Sequence, residues 1–89
     1  MKRKVVFSPR AWNEYVEWQT FDKLTAKKIL ELINDIDKNG LYKGIGKPER
    51  LKYMNGLWSR RINIEDRLLY NLDQEGNIYI FSCKGHCDY

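Results

Sequence analysis

Eighty-nine residues suffice for one domain with one thin core, which buries about 60 to 65% of the surface its unfolded chain exposes, so a single domain over residues 1–89 is expected. The 43% hydrophobic and 13% aromatic content is that of a globular protein, and a net charge of +4 favours nucleic acid or an acidic protein as partner. No stretch approaches the roughly 18 apolar residues of a membrane span. The first ten residues lack a signal-peptide core, and two cysteines four positions apart are unlike a secreted disulfide framework; a cytoplasmic protein with free thiols and no membrane partner is expected.

In chain order, Lys4-Val5-Val6-Phe7 predicts a short strand. Ser8 is a helix N-cap with Pro9 at the first helical position, and the helix runs to about Gln19. Its apolar face is Trp12, Tyr15 and Val16, at i, i+3 and i+4. Asp22 caps a second helix that Gly40 stops, with Ala26, Ile29, Leu30, Ile33 and Ile36 as its stripe. From Glu49 onward the period alternates, and Asn55-Gly56 is a hairpin signal. Residues 57–64 predict a strand with Trp58, Arg60, Ile62 and Ile64 on one side and Leu57, Ser59, Arg61 and Asn63 on the other. Strands at 67–72 and 77–83 follow, around the turn Asp73-Gln74-Glu75-Gly76. The fold class is therefore α+β: a two-helix hairpin packed on a twisted antiparallel sheet whose other face is free.

The charge is not spread evenly. Between residues 43 and 67 stand Lys43, Lys47, Arg50, Lys52, Arg60, Arg61 and Arg67 against Glu49, Glu65 and Asp66, an excess equal to the whole net charge. Arginines within strands, with Trp58 and Tyr70 near, offer phosphate forks and stacking faces, which suits single-stranded nucleic acid better than a duplex. A solvated basic surface is the plainer alternative.

The tail CKGHCDY gathers the one histidine and both cysteines. Cys83, His86, Cys87 and Asp88 lack the second knuckle of a structural zinc site, so no metal and no cofactor are expected. Cys83, ending an apolar strand, reads as a buried small hydrophobe. Cys87 and His86 are sequence neighbours, whose side chains diverge on an extended chain, so a thiol nucleophile is a poor fit. What remains is acid and base chemistry on a phosphodiester, in which RNA supplies its own 2′-hydroxyl nucleophile and the protein supplies a base, cations and an acid. Glu49, Arg67 and His86 are the right residue types, with Lys47, Lys52, Arg61 and the tyrosines in reserve, although composition alone leaves them ordinary surface residues. The loop Gly44-Ile45-Gly46-Lys47-Pro48 is not a Walker motif; it turns the chain sharply and sets Glu49 at the mouth of the sheet.

The segments GIGKPERLK, GLWSRRI, DRLLY and CKGH, in that order, resemble the YoeB/Txe family of toxins of the RelE/ParE superfamily. SPRAWNEYVEWQTFDKLTAKKILELI resembles that family's helical hairpin, so the similarity spans essentially the whole chain. The resemblance implies a RelE-like fold of the microbial ribonuclease type and a ribosome-dependent endoribonuclease, an mRNA interferase that cuts messenger RNA in the ribosomal A site. It implies a YefM-like antitoxin as partner, the bacterial ribosome with mRNA in its A site as target, a toxin homodimer, and operator DNA only through the antitoxin complex. It also assigns Glu49 as general base, Arg67 as the cation that stabilises the transition state and His86 as general acid, with Lys52 and Arg61 on the substrate backbone. The family ends in His-Tyr, whereas here Cys87 follows His86 and the tyrosine is Tyr89, two places later. A toxin that acts by binding alone, or one that is catalytically weakened, is the competing reading.

Overall fold

In a computed structural model, which describes residues 2–54 and 56–85, the chain runs β1 (Val5–Phe7), α1 (Pro9–Phe21), α2 (Lys23–Asn39), β2 (Glu49–Arg50), β3 (Trp58–Arg61), β4 (Arg67–Leu72) and β5 (Ile78–Ser82). The sheet order is β1-β5-β4-β3-β2. The four strands from β2 to β5 form the expected antiparallel meander. β1 is different, because Val5–Phe7 pairs parallel with Ile78–Ile80 and makes the sheet mixed. The helical hairpin carries the chain across one sheet face between β1 and the meander, the kind of crossover that parallel neighbours require.

Local chemistry sets the helix ends. The Ser8 hydroxyl accepts the Ala11 N–H at 3.0 Å and donates to the Phe81 carbonyl at 2.7 Å, so one residue caps α1 and ties it to β5. Asp22 serves both helices: its N–H donates to the Trp18 carbonyl at 2.8 Å, and its carboxylate accepts the Thr25 N–H at 3.1 Å. Gly40 closes α2 at φ +81°.

The core lies between α2 and the covered face of the sheet. From α2 come Ala26, Ile29, Leu32, Ile33 and Ile36, and from the strands Leu68, Tyr70, Ile78 and Ile80, all buried. Two expectations shift by a fraction of a turn. Leu30 is 42% exposed because the buried stripe runs through Ile29, Leu32, Ile33 and Ile36 and Leu30 lies about 100° round the helix from Ile29, at the edge of that stripe; Leu32 takes its place. In α1 the inward side is Ala11, with Tyr15 and Trp18 half-buried, while Trp12 and Val16 stand exposed. Trp12 still packs on Phe7, their ring centroids 5.7 Å apart, edge to face.

Cys83 follows β5 into the core as expected, fully buried, with its thiol 3.6 Å from the Ala11 carbonyl. Burial, and then the charges of Glu14 and Asp66, push its pKa up to about 12. At pH 8 the native protein should therefore leave Cys83 unmodified by iodoacetamide, and peptide mass spectrometry should find it alkylated only after denaturation.

Candidate active site

The meander brings three of the sequence-predicted residues to one face. Glu49 faces Ser59 across β2 and β3, and Arg61 faces Arg67 across β3 and β4. Directly paired residues share a side, as do alternate residues of one strand, so Glu49, Arg61 and Arg67 all point to the same face. It is the face away from the helices, because Arg60, Leu68 and Tyr70, at the intervening positions, are wholly buried on the other side. With strands about 4.8 Å apart and a rise of about 3.4 Å per residue, the Cα atoms of Glu49 and Arg67 stand about 12 Å apart. A glutamate and an arginine reaching inward can span that gap with one phosphodiester between them. Ser59 and Leu69 continue the row of Glu49 across the sheet and are themselves buried, at 6% and 2%, so the exposed groups of this face are Glu49 and Arg61, with Arg67 half-buried beside them.

Glu49 and Arg61 are exposed, and neither side chain forms an ion pair among the described residues. Lys47 precedes Glu49 with a left-handed backbone, φ +50°, and Lys52 follows β2; both are exposed. The Arg67 guanidinium is steered by the turn before it. Its Nη1 donates to the carbonyls of Asn63 at 2.8 Å, Asp66 at 3.1 Å and Ile64 at 3.2 Å. Asn63 folds that turn by accepting the N–H groups of Glu65 at 2.8 Å and Asp66 at 2.7 Å on its side-chain oxygen.

The segment after β5 is fastened to the same corner. The Arg67 N–H donates to the Gly85 carbonyl at 3.0 Å, and the Gly85 N–H donates to Asp66 Oδ1 at 2.8 Å. From α1, Glu14 accepts the Cys83 N–H at 2.9 Å and the Trp18 indole donates to the Cys83 carbonyl at 2.9 Å. The chain is thus anchored at Arg67 up to Gly85, the residue before His86. His86, Tyr89 and the candidate zinc ligands Cys87 and Asp88 lie outside the described residues.

Arg60 requires a correction. As a phosphate fork beside stacking faces of Trp58 and Tyr70 it would have to reach solvent, yet Arg60 and Tyr70 are both fully buried. Its guanidinium pairs with Asp35 of α2. Burial would raise the Asp35 pKa, but the bonds from Arg60, the Ile45 N–H and Asn39 outweigh it and hold the carboxylate below its ordinary value of 3.8. Burial also raises the Tyr70 phenol, keeping it neutral, and its hydroxyl accepts from Arg60 Nε at 2.9 Å. The alternation itself carried the signal, since Arg60 shares its parity with Trp58 and Ile62. Trp58 packs edge to face on Tyr42, with ring centroids 5.0 Å apart. Of the seven cations in the 43–67 stretch, Arg60 is the one that faces the core rather than solvent.

Comparison with known proteins agrees with this architecture. The family described as the YoeB-like toxin of bacterial type II toxin-antitoxin systems matches residues 7–87. Toxin YoeB of Escherichia coli strain K12 is 42% identical over 84 residues, covering 93% of this chain and 98% of its own. Toxin YoeB of Synechocystis sp. is also 42% identical over 84 residues, covering 93% and 95%. Among solved structures, the YoeB dimer from Staphylococcus aureus matches with a TM-score of 0.91 and 48% identity, covering 97% of this chain and 99% of that one. The heterotetrameric YoeB-YefM complex from the same organism matches at 0.87 and 49%, over 97% and 99%. The archaeal RelE-RelB complex from Pyrococcus horikoshii, at 15% identity and a TM-score of 0.71, shares the fold.

Proposed function

The chain belongs to the family of YoeB-like toxins of bacterial type II toxin-antitoxin systems, and from that premise we propose that it is an mRNA endoribonuclease acting on the ribosome, in the A site. The observation that carries the chemistry is the placement of Glu49, Arg61 and Arg67 on the sheet face away from the helices, with the chain leading into His86 bonded to Arg67. Glu49 takes the proton of the RNA 2′-hydroxyl, whose oxygen attacks the adjacent phosphorus. Arg67 and Arg61 face the phosphorane and stabilise its added negative charge. His86 gives a proton to the departing 5′-oxygen. The upstream fragment then ends in a 2′,3′-cyclic phosphate and the downstream one begins with a 5′-hydroxyl. Cations supply the charge stabilisation that a metal supplies elsewhere, so this route uses none. Lys47 and Lys52, flanking Glu49 in the chain, hold the RNA backbone on either side.

The partners follow from the same face. The Staphylococcus aureus relatives are seen as a YoeB dimer and in complexes with YefM; for this chain we propose a YefM-like antitoxin whose acidic segment covers the basic face, and a toxin homodimer. Operator DNA is reached only through the antitoxin complex. No helix among the described residues is long and apolar enough to cross a membrane, and action on translating ribosomes places the protein in the cytoplasm.

Mapping RNA 5′ ends in a translating extract tests the reading. The wild type should give new ends on ribosome-bound messages, and His86→Ala should remove them. A wild type that leaves mRNA intact, or cuts that persist unchanged in His86→Ala, would show the proposal to be wrong. The tail has its own test. If Tyr89 fills the role of the family's terminal tyrosine, Tyr89→Phe lowers cleavage while Cys87→Ser does not; the reverse pattern assigns the role to Cys87.

A further inference from the structure

We infer that Arg60, together with Asp35 and Tyr70, is a positioning residue for RNA cleavage, holding the loop 40–46 so that Lys47 and Glu49 stand at the rim of the face that carries Arg61 and Arg67. The inference rests on the nuclease reading above and adds to it a residue that never meets the substrate.

Arg60 is 0% exposed and lies on the helix-covered side of the sheet, so it cannot touch RNA. An arginine has five N–H donors in a fixed fork, and here all five are used. Nε donates to the Tyr70 hydroxyl at 2.9 Å. Nη1 donates to Asp35 and to the Ile45 carbonyl, the latter at 3.1 Å. Nη2 donates to the carbonyls of Gly40 at 2.8 Å and Lys43 at 2.7 Å. Three of the five acceptors are therefore carbonyls of one loop. The partners of Arg60 bind the same loop again: the Tyr70 hydroxyl donates to the Leu41 carbonyl at 2.8 Å, and Asp35 accepts the Ile45 N–H at 3.0 Å.

The loop is drawn tight onto this cluster. A Cβ on Gly44 would collide with the Asp35 carboxylate, and one on Gly46 would come within 2.8 Å of Leu32 Cδ2 and 3.2 Å of the Arg61 carbonyl. Both glycines have positive φ, as does Lys47 after them. At its far end the loop is caught by the Arg61 N–H, which donates to the Gly46 carbonyl at 2.6 Å. This matters for Glu49 because β2 is an edge strand of two residues, Glu49–Arg50. So short a ladder fixes position weakly on its own. The loop supplies the rest, through Pro48, whose ring fixes φ.

The site thus has two shells with opposite exposure. Glu49, Arg61 and Arg67 face the RNA, and Arg60 on the reverse of β3 holds the loop that delivers the first of them. Arginine is specific here, since a lysine has three donors and cannot bridge five acceptors spread over the loop, Asp35 and Tyr70.

The test compares wild type, Arg60→Lys, Tyr70→Phe and the core control Ile78→Val in single-turnover cleavage of mRNA on programmed ribosomes. Each is assayed well below its own melting temperature, and amide exchange at Ile45 and Arg61 is followed by NMR. Both loop variants should lower the saturating rate about tenfold or more and speed exchange at Ile45 and Arg61, with a half-saturating concentration changed by less than about threefold. Ile78→Val should cut at the wild-type rate. Tyr70→Phe removes one oxygen, so it keeps the test sound should Arg60→Lys fail to fold. Folded loop variants that cut at the wild-type rate, or an equal loss of rate in Ile78→Val, would overturn the positioning role while leaving the nuclease reading standing. A wild type that does not cut removes the nuclease reading and the positioning role with it.

Discussion

Glu49→Gln is expected to lower the saturating cleavage rate by about 10²- to 10⁴-fold, the usual contribution of a positioned general base. Glutamine keeps the size and hydrogen-bonding shape of the side chain but cannot take the 2′-hydroxyl proton. Among the described residues nothing leans on the carboxylate: Glu49 is exposed and belongs to the sheet through its backbone pairing with Ser59. The melting temperature should therefore stay near that of the wild type, with a stability change within about 0.5 kcal/mol. Glu49→Ala should lose as much activity as Glu49→Gln. A Glu49→Gln protein that cuts at the wild-type rate would remove Glu49 as the base. Parallel loss in Glu49→Gln and His86→Ala would fit a base and an acid moving two different protons in one concerted displacement, and the double variant should then be little worse than either single one.

Arg60→Ala is expected to cost about 3 to 5 kcal/mol of stability. That is a large share of the roughly 5 to 15 kcal/mol that holds a domain of this kind together. Removing the guanidinium leaves Asp35 without its counter-charge, and leaves the Tyr70 hydroxyl and the carbonyls of Gly40, Lys43 and Ile45 without their donor. Urea unfolding should show a much lower midpoint, or no cooperative transition at all. Acid adds a second readout. Asp35 has a folded-state pKa below its ordinary 3.8, so its contribution is complete above that value and is lost as pH falls through the lower, folded one. The gap between wild type and Arg60→Ala should narrow as pH drops below about 4. A variant as stable as the wild type at neutral pH would contradict the account of the buried cluster.

The helices were legible because their signals are local. Ser8-Pro9, Asp22 and Gly40 sit at the boundaries the structure shows, since a cap needs only its own turn of backbone to act. The stripe of α2 was right except at Leu30, where the choice between neighbouring i+3 and i+4 rows depends on where the sheet lies. The meander was legible from alternation, but the two-residue hairpin expected at Asn55-Gly56 is not what joins β2 to β3: the connection spans residues 51–57, with the Leu57 N–H on the Met54 carbonyl at 3.1 Å and the Leu51 N–H on the Leu57 carbonyl at 3.0 Å, and Asn55 itself lies outside the described residues. The predicted strand 57–64 is shorter at both ends, Trp58–Arg61, because the chain turns at Asn63 to present Arg67. The parallel pairing of β1 with β5 was not legible, since it joins residues more than seventy positions apart and leaves no local mark.

The site was legible in a different way. Glu49, Arg61 and Arg67 are common surface residue types, and only resemblance singled them out. Their arrangement on one face is geometry that the register of two ladders creates. Arg60 was misread because charge was given more weight than parity: an arginine between Trp58 and Ile62 on an alternating strand faces whatever they face. Its acceptors lie 10 to 25 residues away in sequence, so only the folded chain shows why a buried cation is tolerated there.

The chemistry of the cut ends tests the central claim most directly. Fragments released from programmed ribosomes by the purified wild type should carry a 2′,3′-cyclic phosphate, or the 3′-phosphate formed by its hydrolysis, and a 5′-hydroxyl on the other piece. A message with a single 2′-deoxynucleotide at the cut position should resist. Fragments ending in a 3′-hydroxyl and a 5′-phosphate, or cleavage of the 2′-deoxy message at the normal rate, would mean that water and not the RNA's own hydroxyl is the nucleophile, and would contradict the roles given to Glu49, Arg67 and His86.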